Sequence, residues 1–361
     1  MAQAPITEAQ TRKVLDRFYR FSDLPVTIAA RKMGIPPETL RHYLKTYAPR
    51  FGIQVPGSRA MRPAIISDTH EIPEMPDDDL PVEEIIAMRQ REFEQKRAHE
   101  EATKLIPVNV KVEGPIGIWH AGDPHVDDDG CMIGELFRHA KATKEVEGLF
   151  GANCGDTTNN WVGRLARLYS EQNMGRRRAI RVAEHFIRSA RWLYMVGGNH
   201  DAWSGQDDPL NWIAKQVGAL YHSSECRLEL RFPKGEPFII NARHDFAGGS
   251  MWNPAHGPMK AAQMGVRDDL FTCGHKHISG YGITKDPETG AVCQALQVAS
   301  YKVFDRYQKE KNLRDQHISP CAVTVIDPLL PRTNPDRCKV FWDFDEGVWY
   351  LKAKRGRWAL G

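Results

Sequence analysis

Residues 116–125 read IGIWHAGDPH. A short apolar run flows into Asp123-Pro124-His125, which predicts a strand that ends in hard oxygen and nitrogen donors. The same design recurs downstream. LFGANC (149–154) runs into Gly155-Asp156-Thr157-Thr158-Asn159, and WLYMVG (192–197) into Gly198-Asn199-His200-Asp201. FIINAR (238–243) runs into His244, and LFTC (270–273) into Gly274-His275-Lys276-His277. Helical stretches near 133–147 and over 161–191 separate the first strands. Further strands are expected at 227–232, 237–243, 270–273, 293–299 and 321–326. Strands alternating with helices predict an α/β domain. Ligands bind at the carboxyl ends of strands in such sheets.

The five clusters have the chemistry of a metal centre. Asp-x-His and His-x-His put alternate side chains on one side of an extended segment, so both members reach one centre. The glycines let backbone pass close to ions. Imidazole and carboxylate together suit manganese, iron, zinc and similar first-row ions. Singly, each histidine reads more naturally as a core or surface residue; the ordered set reverses that.

In that order the clusters resemble the pattern of the calcineurin-like metallophosphoesterase superfamily: D-x-H, G-D-x-x-[DN], G-N-H-[DE], a single His, G-H-x-H. The resemblance covers about 115–300. It implies a double β-sheet sandwich flanked by helices, with two divalent ions at the strand ends. Manganese is the foremost choice, with iron, zinc, nickel and magnesium as alternatives. Carried over motif by motif, one ion is held by Asp123, His125 and His277. The other is held by Asn199, His244 and His275, and Asp156 bridges them. Two ions about 3.5–4 Å apart clamp a phosphate and bring the pKa of a bound water to about 7, for in-line attack on phosphorus. Neighbours in an extended segment point apart, so His200 does not ligate while Asn199 does. His200 then looks like the general acid for the leaving oxygen, with Asp201 fixing its tautomer. The single-histidine motif has a rival. His256 lies in a Pro/Gly-rich loop, and the strand-end position favours His244, leaving His256 to touch substrate. Asn159 and Arg164 are the other expected substrate contacts.

Outside these motifs the signals are broader. The chain has 361 residues, 41% hydrophobic and 26% charged, with a net charge of +3. That is globular composition, enough for two domains at about 150 residues each. No apolar run approaches the ~18 residues of a membrane span. Seven cysteines without a Cys-x-x-Cys fit a reducing cytoplasm better than a disulfide framework. The opening residues lack the basic and apolar regions of a secretion signal. Cytoplasmic location is the expectation.

Charge is unevenly spread. Residues 8–63 hold eleven Lys/Arg against four acids, a local +7. Three short helices are expected there: Val14, Leu15 and Phe18 on the first, and Leu24, Ile28 and Met33 on the second. After a turn at Gly34, Leu40, Tyr43, Leu44 and Tyr47 mark the third. The arrangement is similar to a helix-turn-helix, with Arg41, His42 and Lys45 outward. A small helical bundle that binds protein is the other reading. Asp68 to Asp79 holds six acids and no Lys/Arg. The expected division is a helix-turn-helix-like domain (1–55), an acidic linker (56–80), a charged connecting helix (81–106) and a metallophosphoesterase-like domain (107–361).

Residues 161–191 carry eight arginines against two acids. Arg176, Arg177, Arg178 and Arg181 are the densest group. They read either as a phosphate-backbone surface beside the metals or as a solvated helix face. At the C-terminus, CAVTVID and CKVFWDF read as closing strands, and Asp345 as the cap of a last helix. The first functional expectation is a metal-dependent phosphodiesterase acting on DNA or another nucleic acid, nuclease-like. The look is weakly similar to phage and prophage phosphoesterases. The alternatives are an enzyme for a small nucleotide or phosphoprotein, and a non-catalytic DNA-binding regulator.

Overall fold

Thr7 starts the first helix by a reciprocal cap. Its hydroxyl accepts from the Gln10 N–H, and the Gln10 side chain accepts from the Thr7 N–H at 2.9 Å. The computed structural model describes residues 6–22, 24–53, 55, 63–66, 69–73, 79–203, 208–304 and 316–359. They fall into two compact units, Met1–Phe93 and Glu94–Gly361. In the first unit, α1 (Glu8–Tyr19) is followed by α2 (Val26–Met33) and α3 (Pro37–His42). Gly34 ends α2 in the left-handed conformation, φ 69°. Phe18, Ala29, Ala30, Met33 and Leu40 form the small core. Leu24 lies ahead of α2, not on it, and beyond α3 the chain continues through a π-helical stretch, Tyr43–Tyr47. Within the stretch read as a linker, β1 (Pro63–Ile66) pairs antiparallel with β2 (Glu71–Pro73), Ile65 opposite Ile72. These β-branched positions sit among residues otherwise too acidic to build a core. Then comes α4 (Val82–Thr103), which buries no residue and carries pairs such as Arg89–Glu92 at 2.9 Å. Among the described residues no helix is long and apolar enough to cross a membrane.

The second unit is mixed α/β. Its strands are β3 (Ile106–Asn109), β4 (Ile116–Ala121), β5 (Leu149–Asn153), β6 (Trp192–Val196), β7 (Leu220–His222) and β8 (Glu225–Arg231). They continue as β9 (Phe238–Arg243), β10 (Leu270–Cys273), β11 (Gly280–Lys285), β12 (Val292–Gln297), β13 (Cys321–Ile326) and β14 (Cys338–Phe341). Among the described residues they form two six-stranded sheets, ordered β14-β13-β4-β5-β6-β7 and β11-β12-β10-β9-β8-β3. In the first, β4 to β7 run parallel. In the second, β9, β10 and β12 run parallel. Strand β4 is buried along its whole length because both faces are covered. Ile116 and Ile118 share one apolar cluster with Leu228, Ile240 and Leu296 of the other sheet. Trp119 faces the opposite way, into a cluster with Leu136, Phe186 and Leu351. Those three come from α5 (Ile133–Glu145), α6 (Arg176–Ser189) and, beyond α7 (Pro209–Gln216) and α8 (His256–Met264), from α9 (Phe344–Trp358). The outcome is the sandwich of two sheets with helices outside.

Three local readings change. The Arg-rich stretch is not one helix: a 3-10 helix, Gly163–Glu171, is separated from α6, and Gly175 caps α6. The last helix is capped by Asp343, whose side chain accepts from Glu346 N–H at 2.8 Å. Asp345 instead meets Arg138 at 2.8 Å. Strands β3, β7 and β11 are too short or too exposed to stand out in the sequence.

Candidate metal centre

The parallel strands bring the five clusters to one edge of the sandwich. Asp123 and His125 follow β4, Asp156 follows β5, and Asn199 follows β6. His244 and His275 follow β9 and β10. Backbone hydrogen bonds join the turns, His125 N–H to Asp156 O at 3.1 Å and Gly274 N–H to His244 O at 3.1 Å. Ser300, beyond β12, donates its hydroxyl to Asp123 O at 2.7 Å.

The backbone at this edge is unusual. Among the described residues, the non-glycine residues with positive φ are Asp123 (31°), His125 (41°), Asp156 (51°), Asn160 (37°), His275 (69°) and His277 (53°). Side chains rarely adopt this region, at a cost of about 1–3 kcal/mol each. Five of the six are expected ligands. Glycines make the close approach feasible. A Cβ on Gly198 would stand 2.0 Å from Asp156 Oδ1, and one on Gly155, at φ 109°, 2.4 Å from His244 Nδ1.

The donors converge on Asp156. His244 Nε2 lies 3.2 Å from Asp156 Oδ2 and 3.0 Å from Asn199 Oδ1. His275 Nδ1 lies 3.0 Å from His244 Nε2. On the other side, His125 Nε2 and His277 Nε2 are 3.3 Å apart, and His277 Nε2 is 3.6 Å from Asp123 Oδ2. Two groups have ligand atoms all within 4.8 Å of one another: His125, Asp156 and His200, and Asp156, His244 and His275. Asp156 belongs to both.

One expectation about orientation needs correcting. Asn199–Ala202 is a single helical turn, not an extended segment. Asn199 still turns toward His244, but His200 Nε2 comes 3.8 Å from Asp156 Oδ2. His200 therefore stands at the margin of the donor cluster. Asp201 does not touch its ring. The Asp201 carboxylate accepts from Gly198 N–H at 2.9 Å and Thr157 N–H at 3.2 Å, which ties the third cluster to the second. The group at His200 Nδ1 is the Asn159 carbonyl.

The electrostatics follow from burial and crowding. Burial pushes the Asp123 carboxyl up to about 7, against the pull of His244 and His277. Burial also opposes the charge of Asp156, but His244 outweighs it and holds that carboxyl well below its usual range. His244 itself is raised to about 10, burial notwithstanding, by Asp156. Burial lowers His125, His200 and His275.

These residues fit divalent cations. Metal ligation needs ionised carboxylates and neutral imidazoles; burial favours neutral His125 and His275, whereas a cation has to displace the protons favoured at Asp123 and His244. Both carboxylate oxygens of Asp123 are buried with no hydrogen-bond partner, as is His125 Nδ1. A buried carboxylate without such partners is costly, and a coordinated cation removes that cost.

The other expected residues are placed as follows. Asn159 is wholly buried; its amide nitrogen donates to Asp128 at 2.8 Å and Gln172 at 3.2 Å, so that nitrogen is not directed at a substrate. His256 begins α8, its ring lies beside Gly248, and it belongs to neither donor group. The Arg164 side chain lies outside the described residues. Arg176, Arg177, Arg178 and Arg181 are exposed along α6, and Arg178 and Arg181 line a surface groove with Phe137 and Met174. In the first unit, Arg41 turns back to Glu38 and to Thr27 Oγ1, while His42 and Lys45 are exposed.

Among the neighbours of the site, the sequence marks Trp161 as a stacking face of the Arg-rich stretch, while Trp203 and Lys302 carry no such signal. Trp161 and Trp203 flank the His200 ring at 5.0 and 4.2 Å. Lys302 is buried, 3.0 Å from Asp128 Oδ2 and 5.4 Å from the Trp161 ring centre. The Asp127-Asp128-Asp129-Gly130 run, which begins two residues after His125, is the available signal for part of this shell.

No protein-family model and no curated protein matches the chain. Among solved structures it is similar to the NAD nucleotidase NadN of Haemophilus influenzae, at 10% identity and a TM-score of 0.32. That match covers 63% of this chain, which spans about half (49%) of NadN.

Proposed function

We propose that the chain is a metal-dependent phosphoesterase that hydrolyses phosphodiester bonds, with nucleic acid as its substrate class. One observation carries the reading. Strand-end carboxylates and imidazoles crowd around Asp156 on backbone that is mostly left-handed. Packing alone gives no reason for a fold to hold so many buried polar groups in so strained a form.

Asp123, His125, Asp156 and His277 would hold one ion, and Asp156, Asn199, His244 and His275 the other. Divalent ions there, manganese foremost, supply charge for the phosphoryl oxygens and acidify a water. The chain supplies the rest. Asp156 links the two donor sets. His200, held at Nδ1 by the Asn159 carbonyl, presents Nε2 toward the centre. When protonated, it gives the Nε2 proton to the leaving oxygen and keeps its Nδ1–H bond throughout. Trp161 and Trp203 limit how far the ring can swing. The local +7 over residues 8–63 and the exposed arginines of α6 support a polyanionic substrate.

The test is an activity panel with added Mn²⁺: bis-p-nitrophenyl phosphate, p-nitrophenyl phosphate, single- and double-stranded DNA, RNA and cyclic nucleotides. Diester hydrolysis that is abolished by chelation, together with cleavage of a polynucleotide, is the expected result. Turnover of mononucleotides alone would move the substrate class to small nucleotides. No turnover with any ion would overturn the reading.

A further inference from the structure

Asn159 donates three hydrogen bonds, while its own buried side-chain oxygen accepts none among the described residues. The residue is wholly buried. Its N–H donates to Asp127 Oδ1 at 2.8 Å. Its side-chain amide donates to Asp128 Oδ2 at 2.8 Å and Gln172 Oε1 at 3.2 Å. Gln172 donates in turn to Asp127 Oδ2 at 2.7 Å and to the Met174 carbonyl at 2.9 Å. Lys302 Nζ stands 3.0 Å from the same Asp128 oxygen. The next residue, Asn160, has φ 37° and donates its side-chain amide to the His200 carbonyl at 2.8 Å. It is the one positive-φ non-glycine among the described residues that is not an expected ligand.

These contacts hold the two residues on either side of the Asn159–Asn160 peptide, directly or through Gln172 and Asp128. What that peptide offers is a carbonyl oxygen, and it accepts from His200 Nδ1. We propose that Asp127 and Gln172 are positioning residues which, through the Asn159 carbonyl, set the tautomer and direction of His200. The inference rests on the phosphoesterase reading for its chemical consequence, though not for its geometry. Asp201, the residue expected to do this, has both oxygens committed to backbone N–H groups. A carbonyl accepts but never donates, so it permits only a ring with hydrogen on Nδ1. The other nitrogen then faces the centre, where a leaving oxygen needs its proton. Asn160 allows the turn because asparagine tolerates the left-handed region better than most residues. Small displacements of a reacting group, near 1 Å, cost about 10²-fold, so support at this distance from the chemistry is consequential.

The test uses the full-length protein and two variants. Gln172→Ala removes a brace from a half-buried position, and Asp127→Asn replaces one acceptor oxygen by a donor. Each is assayed on a dinucleotide and on bis-p-nitrophenyl phosphate. The dinucleotide should lose about 10–100-fold, the usual scale for removing a hydrogen-bonded support. The nitrophenyl ester, whose leaving group needs little protonation, should stay within about 3-fold. Adding Gln172→Ala to His200→Ala should cost nothing more on the dinucleotide. Equal losses on both esters, or losses that multiply in the double variant, would overturn the proposal. A second readout needs no substrate: ¹⁵N spectra of the metal-free protein, with His200 assigned by substitution. They should show the Nδ1–H form in the wild type and a mixed population in Gln172→Ala. An unchanged spectrum counts against the proposal. Should the wild type hydrolyse neither ester, the phosphoesterase reading falls, while the spectra still decide whether this clamp governs His200.

Discussion

The two units of this chain treat their polar residues in opposite ways. In the second unit Asp123, His125, Asp156 and His244 are buried and aim at one place. In the first, Lys45 and His42 stay exposed, and Arg41 is taken up by Glu38 and Thr27. Burial is what makes the difference informative. A buried ionisable group is tolerated only with partners, so convergent buried donors specify a chemistry. Exposed charge costs little wherever it sits, and specifies only a long-range field. The second unit should therefore respond steeply to single atoms, and the first mainly to total charge and salt.

The largest effect should follow Asp156→Asn, because one carboxylate serves both donor groups. Turnover of bis-p-nitrophenyl phosphate should fall below detection, while the far-ultraviolet circular dichroism and its melting transition remain. Wild-type kcat in the purified variant would place the chemistry elsewhere. His200→Ala comes next. Loss of a general acid costs typically ~10²–10⁴-fold where the leaving oxygen needs a proton. A dinucleotide should lose on that scale and a nitrophenyl ester far less. Equal losses would make His200 a ligand, which its 3.8 Å approach to Asp156 also permits.

The smallest effect on chemistry should come from deleting residues 1–80. Nitrophenyl ester hydrolysis should be unchanged, while DNA affinity and its salt dependence both fall. Each neutralised phosphate contributes about −0.9 to the slope of log K against log salt. The comparison is a salt titration with Ca²⁺ in place of the active ion. Identical affinity and slope for full-length and shortened chains would remove the first unit from substrate delivery.

Much of the second unit is legible from sequence because its signals are local. Apolar runs such as IGIWHA and WLYMV predict buried strands, and Gly, Asp and His clusters at their ends predict ligands. The structure brings Asp123, His125, Asp156, Asn199, His244, His275 and His277 together, and leaves His256 outside. What escaped the sequence depends on contacts between distant residues. Asp127, Gln172 and Lys302 meet around Asn159 only after folding. The helical turn at Asn199–Ala202 is too short for periodicity to reveal, so the sequence does not show that His200 approaches Asp156 or that Asp201 turns to backbone N–H groups. In the first unit the helices announced themselves through Gly34, Pro36 and Pro37. The pairing of Ile65 with Ile72 was hidden by the surrounding acids.

Counting ions tests the central claim most directly. Metal-stripped wild-type protein would be dialysed against Mn²⁺, and the bound metal measured by mass spectrometry against protein concentration. The convergence on Asp156 predicts two ions per chain in the wild type and fewer than one in Asp156→Asn at the same free Mn²⁺. At most one ion in the wild type, or two retained at unchanged affinity by Asp156→Asn, would contradict it.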